Sequence, residues 1–265
     1  PRLDNLSYTE DAIDVRSRAI MIICFTSNGL PSRTFTSFSA YKMWLAAMLL
    51  SFDVVDEAVS EHDDWHTHEH LPERLSIPGF LRGTRWVALQ GRPKYFVLYE
   101  VEHLATLASD AYLERLNHPT PWTAKMMLQY RSMSRGFCSI VGSSGFGFGH
   151  IGLLTRFKPS PDAESRVGVW LQEDILAQLP KRSGLGSVHL LRGALAPEMT
   201  NEQRIRGADA SVDWALLTTG YSQGDVAALL QSDLGDDRFA DNGATEVVSA
   251  LYRTDYTLIA SEIDA

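Results

Sequence analysis

Residues 44–52 (Trp44-Leu45-Ala46-Ala47-Met48-Leu49-Leu50-Ser51-Phe52) are almost wholly apolar. A run of this length reads as a strand buried on both faces. Asp53 then offers an N-cap, and Val55, Val59, His62, Trp65, His66 and Glu69 recur at helical spacing over 54–74. Ser76-Ile77-Pro78-Gly79 stops that helix. Strands are predicted over 80–89 and 95–101, joined through Gly91-Arg92-Pro93. A second helix is predicted over 104–116, broken at Asn117-His118-Pro119-Thr120-Pro121 and resuming over 122–134, before a fourth strand over 136–141. The order β-α-β-β-α-β is that of a ferredoxin-like unit.

The pattern then recurs. Phe52 to Trp65 has the same separation as Phe157 to Trp170, and Trp65 to Gly79 the same as Trp170 to Gly184. Tyr95-Phe96-Val97-Leu98 corresponds to Trp214-Ala215-Leu216-Leu217 after a longer hairpin loop over 193–212, and residues 247–260 supply a closing strand. A four-stranded sheet with helices on one face leaves its other face apolar and wet, so the two units are expected to pack sheet to sheet. The expected fold class is α+β, with two ferredoxin-like βαββαβ repeats forming an intramolecular α+β barrel. Its parts are an N-terminal extension over 1–42, a first repeat over 43–141, a glycine-rich linker over 142–149, and a diverged second repeat over 150–265. The linker lacks the Gly-Lys-Ser/Thr ending of a phosphate loop.

Composition narrows the partners. A net charge of −9 and a pI of about 5.3, with no Lys/Arg cluster, argue against a nucleic-acid partner. No apolar run reaches the ~18 residues of a membrane span. Asp4, Glu10, Asp11 and Asp14 before the short apolar run 19–25 make a poor secretory signal. Two cysteines, Cys24 and Cys138, form no disulfide framework. The expectation is a cytoplasmic protein, monomer or homodimer, whose partner is a small molecule.

The run Trp65-His66-Thr67-His68-Glu69-His70-Leu71-Pro72-Glu73-Arg74-Leu75-Ser76-Ile77-Pro78-Gly79-Phe80 resembles the signature of the dimeric α+β-barrel superfamily. So do Pro93-Lys94-Tyr95-Phe96-Val97-Leu98-Tyr99-Glu100 and the stretch from Tyr112 to Trp122. The resemblance is to EthD-like and muconolactone-isomerase-like bacterial proteins. Small polyketide cyclases, cofactor-free monooxygenases and haem-binding relatives share that superfamily. It implies the barrel and a small-molecule site, and leaves the reaction open.

Comparison of the two units locates the chemistry. His66, His68 and His70 stand where the second unit has Leu171, Glu173 and Ile175, whereas Trp65 and Gly79 have counterparts in Trp170 and Gly184. The packing residues recur and the histidines do not, which points to one functional site, in the first unit. His70 is the candidate acid/base, with His66 behind it, because imidazole exchanges protons near neutrality. A helix-capping histidine is the alternative. Tyr99 would polarise a carbonyl or serve packing. Trp65 and Trp122 would wall the substrate, Arg85 would hold a carboxylate or enolate oxygen, and Tyr112 and Trp122 would line the pocket entrance or fasten the helix break. His62, His66 and His70 share a helix face at metal-ligand spacing, but without the His-Glu-x-x-His order; no metal and no organic cofactor is assigned. The expected function is a lyase, isomerase or cyclase acting on an aromatic or polyketide-like compound. The alternative is a haem- or metal-dependent enzyme, or a non-catalytic binding module, on the same barrel.

Overall fold

The computed structural model describes residues 45–195 and 198–263. The expectations for the extension over 1–42, and for Cys24 and Trp44, lie outside the described residues. Strand β1 (Ala46–Val54) leads through one 3₁₀ turn into α1 (Val59–Trp65), a π turn (His66–His70) and α2 (Leu71–Leu75). β2 (Phe80–Gln90) and β3 (Tyr95–Val101) form a hairpin, α3 (Asp110–Asn117) and α4 (Pro121–Met127) flank the break, and β4 (Tyr130–Gly145) closes the first half. The second half runs β5 (Ile151–Pro159), α5 (Glu164–Trp170) with its own π turn (Leu171–Leu176), and β6 (Leu185–Ala194). It continues through α6 (Asn201–Arg206), β7 (Ala210–Ser211), β8 (Trp214–Gly220), α7 (Gln223–Ala228), α8 (Asp236–Asp241) and β9 (Ala244–Ile259).

Eight antiparallel strands close into a barrel in the order β4-β1-β3-β2-β9-β5-β8-β6, and β6 returns to β4. β7 adds a short parallel pairing beside β4. Closure depends on the two 16-residue strands. β4 pairs with β1 through its first part and with β6 through its second; β9 does the same with β5 and then β2. Alternate residues point into the barrel, where Trp86, Phe96, Leu98, Cys138, Leu154, Leu191, Leu217 and Tyr252 form one core. Trp86 stacks on Phe96 there, with ring centroids 5.2 Å apart. The outward residues of each half pack under that half's own helices, as two further cores.

Both long strands bend at the same place. Ser132 and Glu246 each adopt φ 52°, beside register shifts opposite Ser51/Asp53 and Arg156/Lys158. An extra residue on the long strand is a β-bulge, which raises local twist and turns a flat sheet into a closed one. Its presence in both halves ties this strain to barrel closure.

Asp53 lies inside β1 and accepts from Lys94 N–H instead of capping the helix. Three further expected boundaries differ. The resumed helix ends at Met127 and β4 begins at Tyr130, because Tyr130 pairs with Val54 and Val55 N–H donates to the Gln129 carbonyl. Tertiary pairing there overrides helical propensity. The loop over 193–212 carries α6 and β7. The third concerns the stretch expected as a linker: Gly142 to Gly145 continue β4, opposite Leu190 to Ser187. Gly145 sits at φ 86°, and a Cβ there would fall 2.1 Å from the Gly186 carbonyl oxygen. Gly145→Ala is therefore expected to lower unfolding free energy by about 2 kcal/mol in urea titration, where a flexible linker would show no change.

Candidate active site

The helical segment over 59–75 presents one buried stripe to its sheet: His62, Trp65, His66, His70 and Arg74 are all between 0% and 6% exposed. The spacing is that of one helix face, and the π turn inserts its extra residue between Trp65 and Leu71. Pro72 follows in the next turn with no N–H to give. Opposite the stripe lie Met48, Leu50 and Phe52 of β1, Tyr95 and Tyr99 of β3, Tyr112 of α3 and Tyr130 of β4.

His70 stacks against Trp65 with centroids 4.4 Å apart, and Trp65 Nε1 donates to Glu69 Oε1 at 3.1 Å and to Thr123 Oγ1 at 3.3 Å. Thr120 and Thr123 donate to the same Glu69 oxygen, which pins the start of α4 to the helix. His70 Nδ1 is buried with no hydrogen-bond partner, since the nearest carboxylate oxygen, on Glu73, is 4.0 Å away. His66 Nε2 lies 3.5 Å from Tyr99 Oη, and its Nδ1 is likewise unpartnered. Burial, then the Arg74 guanidinium, the neighbouring histidines and Arg206, holds His70 well below the ordinary imidazole pKa. His66 is held well below it too, by burial first and then by His62, Arg85 and Arg74. Both rings are neutral bases at pH 7.

Arg74 is 1% exposed and pairs with Glu202 of α6, 128 residues away, and with Glu73 at 3.2 Å. Arg206 and Arg135 both reach Asp209, at 2.7 and 3.2 Å. These groups enclose a cavity of about 20 Å³, lined among others by Met48, His70, Arg74, Tyr112, Tyr130 and Glu202. That is room for a single water. Tyr130, Met133 and Arg206 also line a recess of about 390 Å³ with Arg131, Ser132, Ala208 and Ala210. The recess falls within the ~300–1,000 Å³ of small-molecule sites.

The arrangement suits neither a metal nor a haem. The rings of His62, His66 and His70 lie side by side, 5.5 Å between successive centroids, rather than converging on a point. Among the described residues, no group of three His, Cys, Asp or Glu could hold a metal ion. The cavity at His70 is far too small for a porphyrin, and none of the described residues lining the recess is a histidine.

Of the residues singled out in the sequence, His70, His66, Tyr99, Trp65 and Tyr112 come together here. Arg85 lies toward the other end of the segment, where it donates to Asp255 at 2.8 Å and to the Asp63 carbonyl at 3.1 Å. Trp122 packs outside α1 and donates to Glu61 at 3.1 Å, so it fastens the helix break. Sequence reasoning missed Arg74, Tyr130, Glu202 and Arg206. Strand register does reveal them in part. Phe52 pairs with Tyr95 as Phe157 does with Trp214, and Val54 with Tyr130 as Pro159 does with Ala244. In that register His62, His66, His70 and Arg74 correspond to Val167, Leu171, Ile175 and Leu179, and Tyr99 and Tyr130 correspond to Thr218 and Ala244. Each of these six titratable groups has an uncharged, mostly apolar counterpart.

No family model and no curated protein matches the chain. Among solved structures it resembles an anthrone oxidase-like protein at 14% identity and TM-score 0.61, covering 83% of this chain and 94% of that one. It also resembles proteins named as monooxygenases. One, from Fusobacterium nucleatum, matches at 9% identity and TM-score 0.55 over 82% and 96% of the two chains. Another, from Lactobacillus acidophilus, matches at 7% identity and TM-score 0.53 over 82% and 97%. At these identities the likeness is one of fold: an α+β barrel. No helix among the described residues is long and apolar enough to cross a membrane.

Two outcomes are expected. Unfolded histidines titrate near 6.5, whereas His62, His66, His70 and His189 are held lower in the fold, His189 at about 4. Stability is then complete above about pH 6.5 and is lost as pH falls from there through the folded values, with a slope up to about 1.4 kcal/mol per unit for each ring. Urea titrations between about pH 7.5 and 5.5 read that slope directly; a flat profile would show that the rings are not buried and neutral. Second, Glu202→Ala leaves the Arg74 guanidinium short of its main counter-charge and lowers unfolding free energy by about 3 kcal/mol, read in the same assay.

Proposed function

We propose that the chain is a small-molecule enzyme, built from two copies of a βαββαβ unit, with its active centre at His70 in the first copy. The observation that carries this reading is a neutral, buried imidazole with an unpartnered nitrogen. It faces a cavity lined by the guanidinium groups of Arg74, Arg135 and Arg206, beside a recess large enough for an organic molecule. The substrate body occupies the recess and presents an acidic C–H to His70. His70 takes the proton, and the guanidinium field stabilises the enolate left behind. Burial contributes most to the lowered pKa of His70; the Arg74 and Arg206 guanidinium groups, which add to it, also favour the anionic intermediate. Trp65 fixes the ring, and Tyr112 closes the apolar wall.

Such a step initiates isomerisation, elimination or cyclisation with no organic cofactor. The fold-level likeness to an anthrone oxidase-like protein favours hydroxylated aromatic or polyketide-like ketones as substrates. In these the C–H is acidified by the rings and the carbonyl together. A panel of anthrones, with 1,8-dihydroxyanthrone as first probe, tests the reading by absorbance, followed as keto-to-anthrol isomerisation: the C10 proton leaves to His70, the carbonyl oxygen takes up a proton, and no oxidant is consumed. His70→Gln and His70→Ala are expected to lose turnover about 100-fold or more while circular dichroism stays that of the parent. Full activity in either variant overturns the proposal.

A further inference from the structure

A second chain of polar groups starts at the same cavity, and of its three members the sequence singled out His62 alone, as a possible metal ligand. Tyr130 is 7% exposed and lines both the cavity and the recess. Its hydroxyl lies 3.3 Å from His62 Nε2, and His62 Nδ1 lies 3.1 Å from Asp63 Oδ1. His62 is 0% exposed, whereas the Asp63 side chain is 36% exposed. The three groups run from the cavity wall to solvent.

Chemistry fixes the direction of the bonds. A carboxylate only accepts, so the proton of neutral His62 sits on Nδ1, and the bare Nε2 accepts from the Tyr130 hydroxyl. Asp63 is held in its ionised form: burial works against that, but the bond from His62, the Arg85 guanidinium and the Tyr95 hydroxyl at 2.9 Å outweigh it. Among the three stacked histidines, His62 is the one with a carboxylate on its far nitrogen. Its charged and titratable neighbours are Asp63 and His66 on its own segment, Arg85 of β2, Lys94 and Tyr95 of the hairpin, and Tyr130 of β4. By register, Tyr130, His62 and Asp63 correspond to Ala244, Val167 and Gly168, so the second half has no such path at these positions.

We infer that Tyr130, His62 and Asp63 form a proton relay serving the cavity, matched to a substrate hydroxyl of the phenol or enol class. A substrate O–H passes its proton to Tyr130 Oη as the tyrosine's own proton moves to His62 Nε2. The products are a substrate oxyanion and a His62 imidazolium beside the Asp63 carboxylate; Tyr130 ends neutral, and the total charge is unchanged. The return of the proton by the same path protonates the product. His70 handles the carbon-bound proton and the relay the oxygen-bound one. Tyr130 touches substrate, and His62 and Asp63 act through it.

The relay takes only the location of the reaction from the proposal above, and its test is separable from it. ¹⁵N NMR of the full chain labelled at histidine is expected to show His62 neutral with its proton on Nδ1 at pH 7.5 (about one unit above a free imidazole). A proton on Nε2 overturns the relay whatever the substrate is. Asp63→Asn is expected to reverse that tautomer, as an amide can donate to Nδ1. With 1,8-dihydroxyanthrone, Asp63→Asn and Tyr130→Phe should each lower kcat about 100-fold with KM within about twofold. Imidazole added to His62→Gly should restore part of the loss. If both variants keep the parent kcat while His70→Gln is inactive, the relay is wrong and the His70 reading stands.

Discussion

The structure depends on two strands that belong to both halves at once. β4 and β9 each leave their own sheet midway and continue as the outer neighbour of a strand in the other half. Every inward position along them then lies inside a closed barrel, filled by Trp86, Phe96, Leu154, Tyr252 and their neighbours. A filled barrel leaves no room for a ligand inside it, so the spaces between the sheet and the helices of each half can be compared directly. These two places are related by the strand order, and their residues differ. The left-handed backbone at Ser132 belongs to the fold and not to the candidate site: it borders the recess, yet Glu246 repeats it in the other half.

Electrostatics separates the two places. In the second half the corresponding space is closed by Leu171, Ile175, Leu179 and Leu190. The first half buries three histidines and Arg74 in the same positions, along with Glu202. Burying a guanidinium and a carboxylate is expensive even when they pair, and an apolar pair of similar volume would hold the fold as well or better. A buried neutral histidine adds a second cost, paid whenever the surroundings acidify. Groups that are costly to the fold and confined to one half need another reason to be there, and proton chemistry supplies one.

Much of this was legible along the chain. Equal spacings from Phe52 to Trp65 and Phe157 to Trp170 marked corresponding elements, and the substitution of Leu171 and Ile175 for His66 and His70 marked the half that differs. What was not legible has common physical causes. Gly142-Ser143-Ser144-Gly145 has linker composition but gains its ladder from β6, a partner forty residues on whose presence no local pattern reports. Arg74 carries no local sign of burial; its burial depends on Glu202, which arrives from a loop with no counterpart in the first half. Tyr130 was assigned to the resumed helix and not to the strand that pairs with β1. Once the strand begins at Tyr130, its hydroxyl reaches His62 Nε2.

The loop over 193–212 also alters the division of labour between the halves. Read from the sequence, the second half is scaffold and the first holds the site. In the structure that loop pairs Ala210-Ser211 with Ser134-Arg135 of β4, and α6 lies against α3 and α4. It thereby carries Glu202, Arg206 and Asp209 into the electrostatic environment of His70. Burial first, then the Arg74 guanidinium and the neighbouring histidines, lowers the pKa of His70, and Arg206 adds the smallest part; Glu202 and Asp209 keep Arg74, Arg206 and Arg135 from facing one another unpaired. On the proposed reading the first half supplies the groups that exchange protons and most of the field around them, and the second supplies the carboxylates that hold the guanidinium groups in place. The candidate site therefore draws on both halves, and the pairing of the loop with β4 is what brings them together.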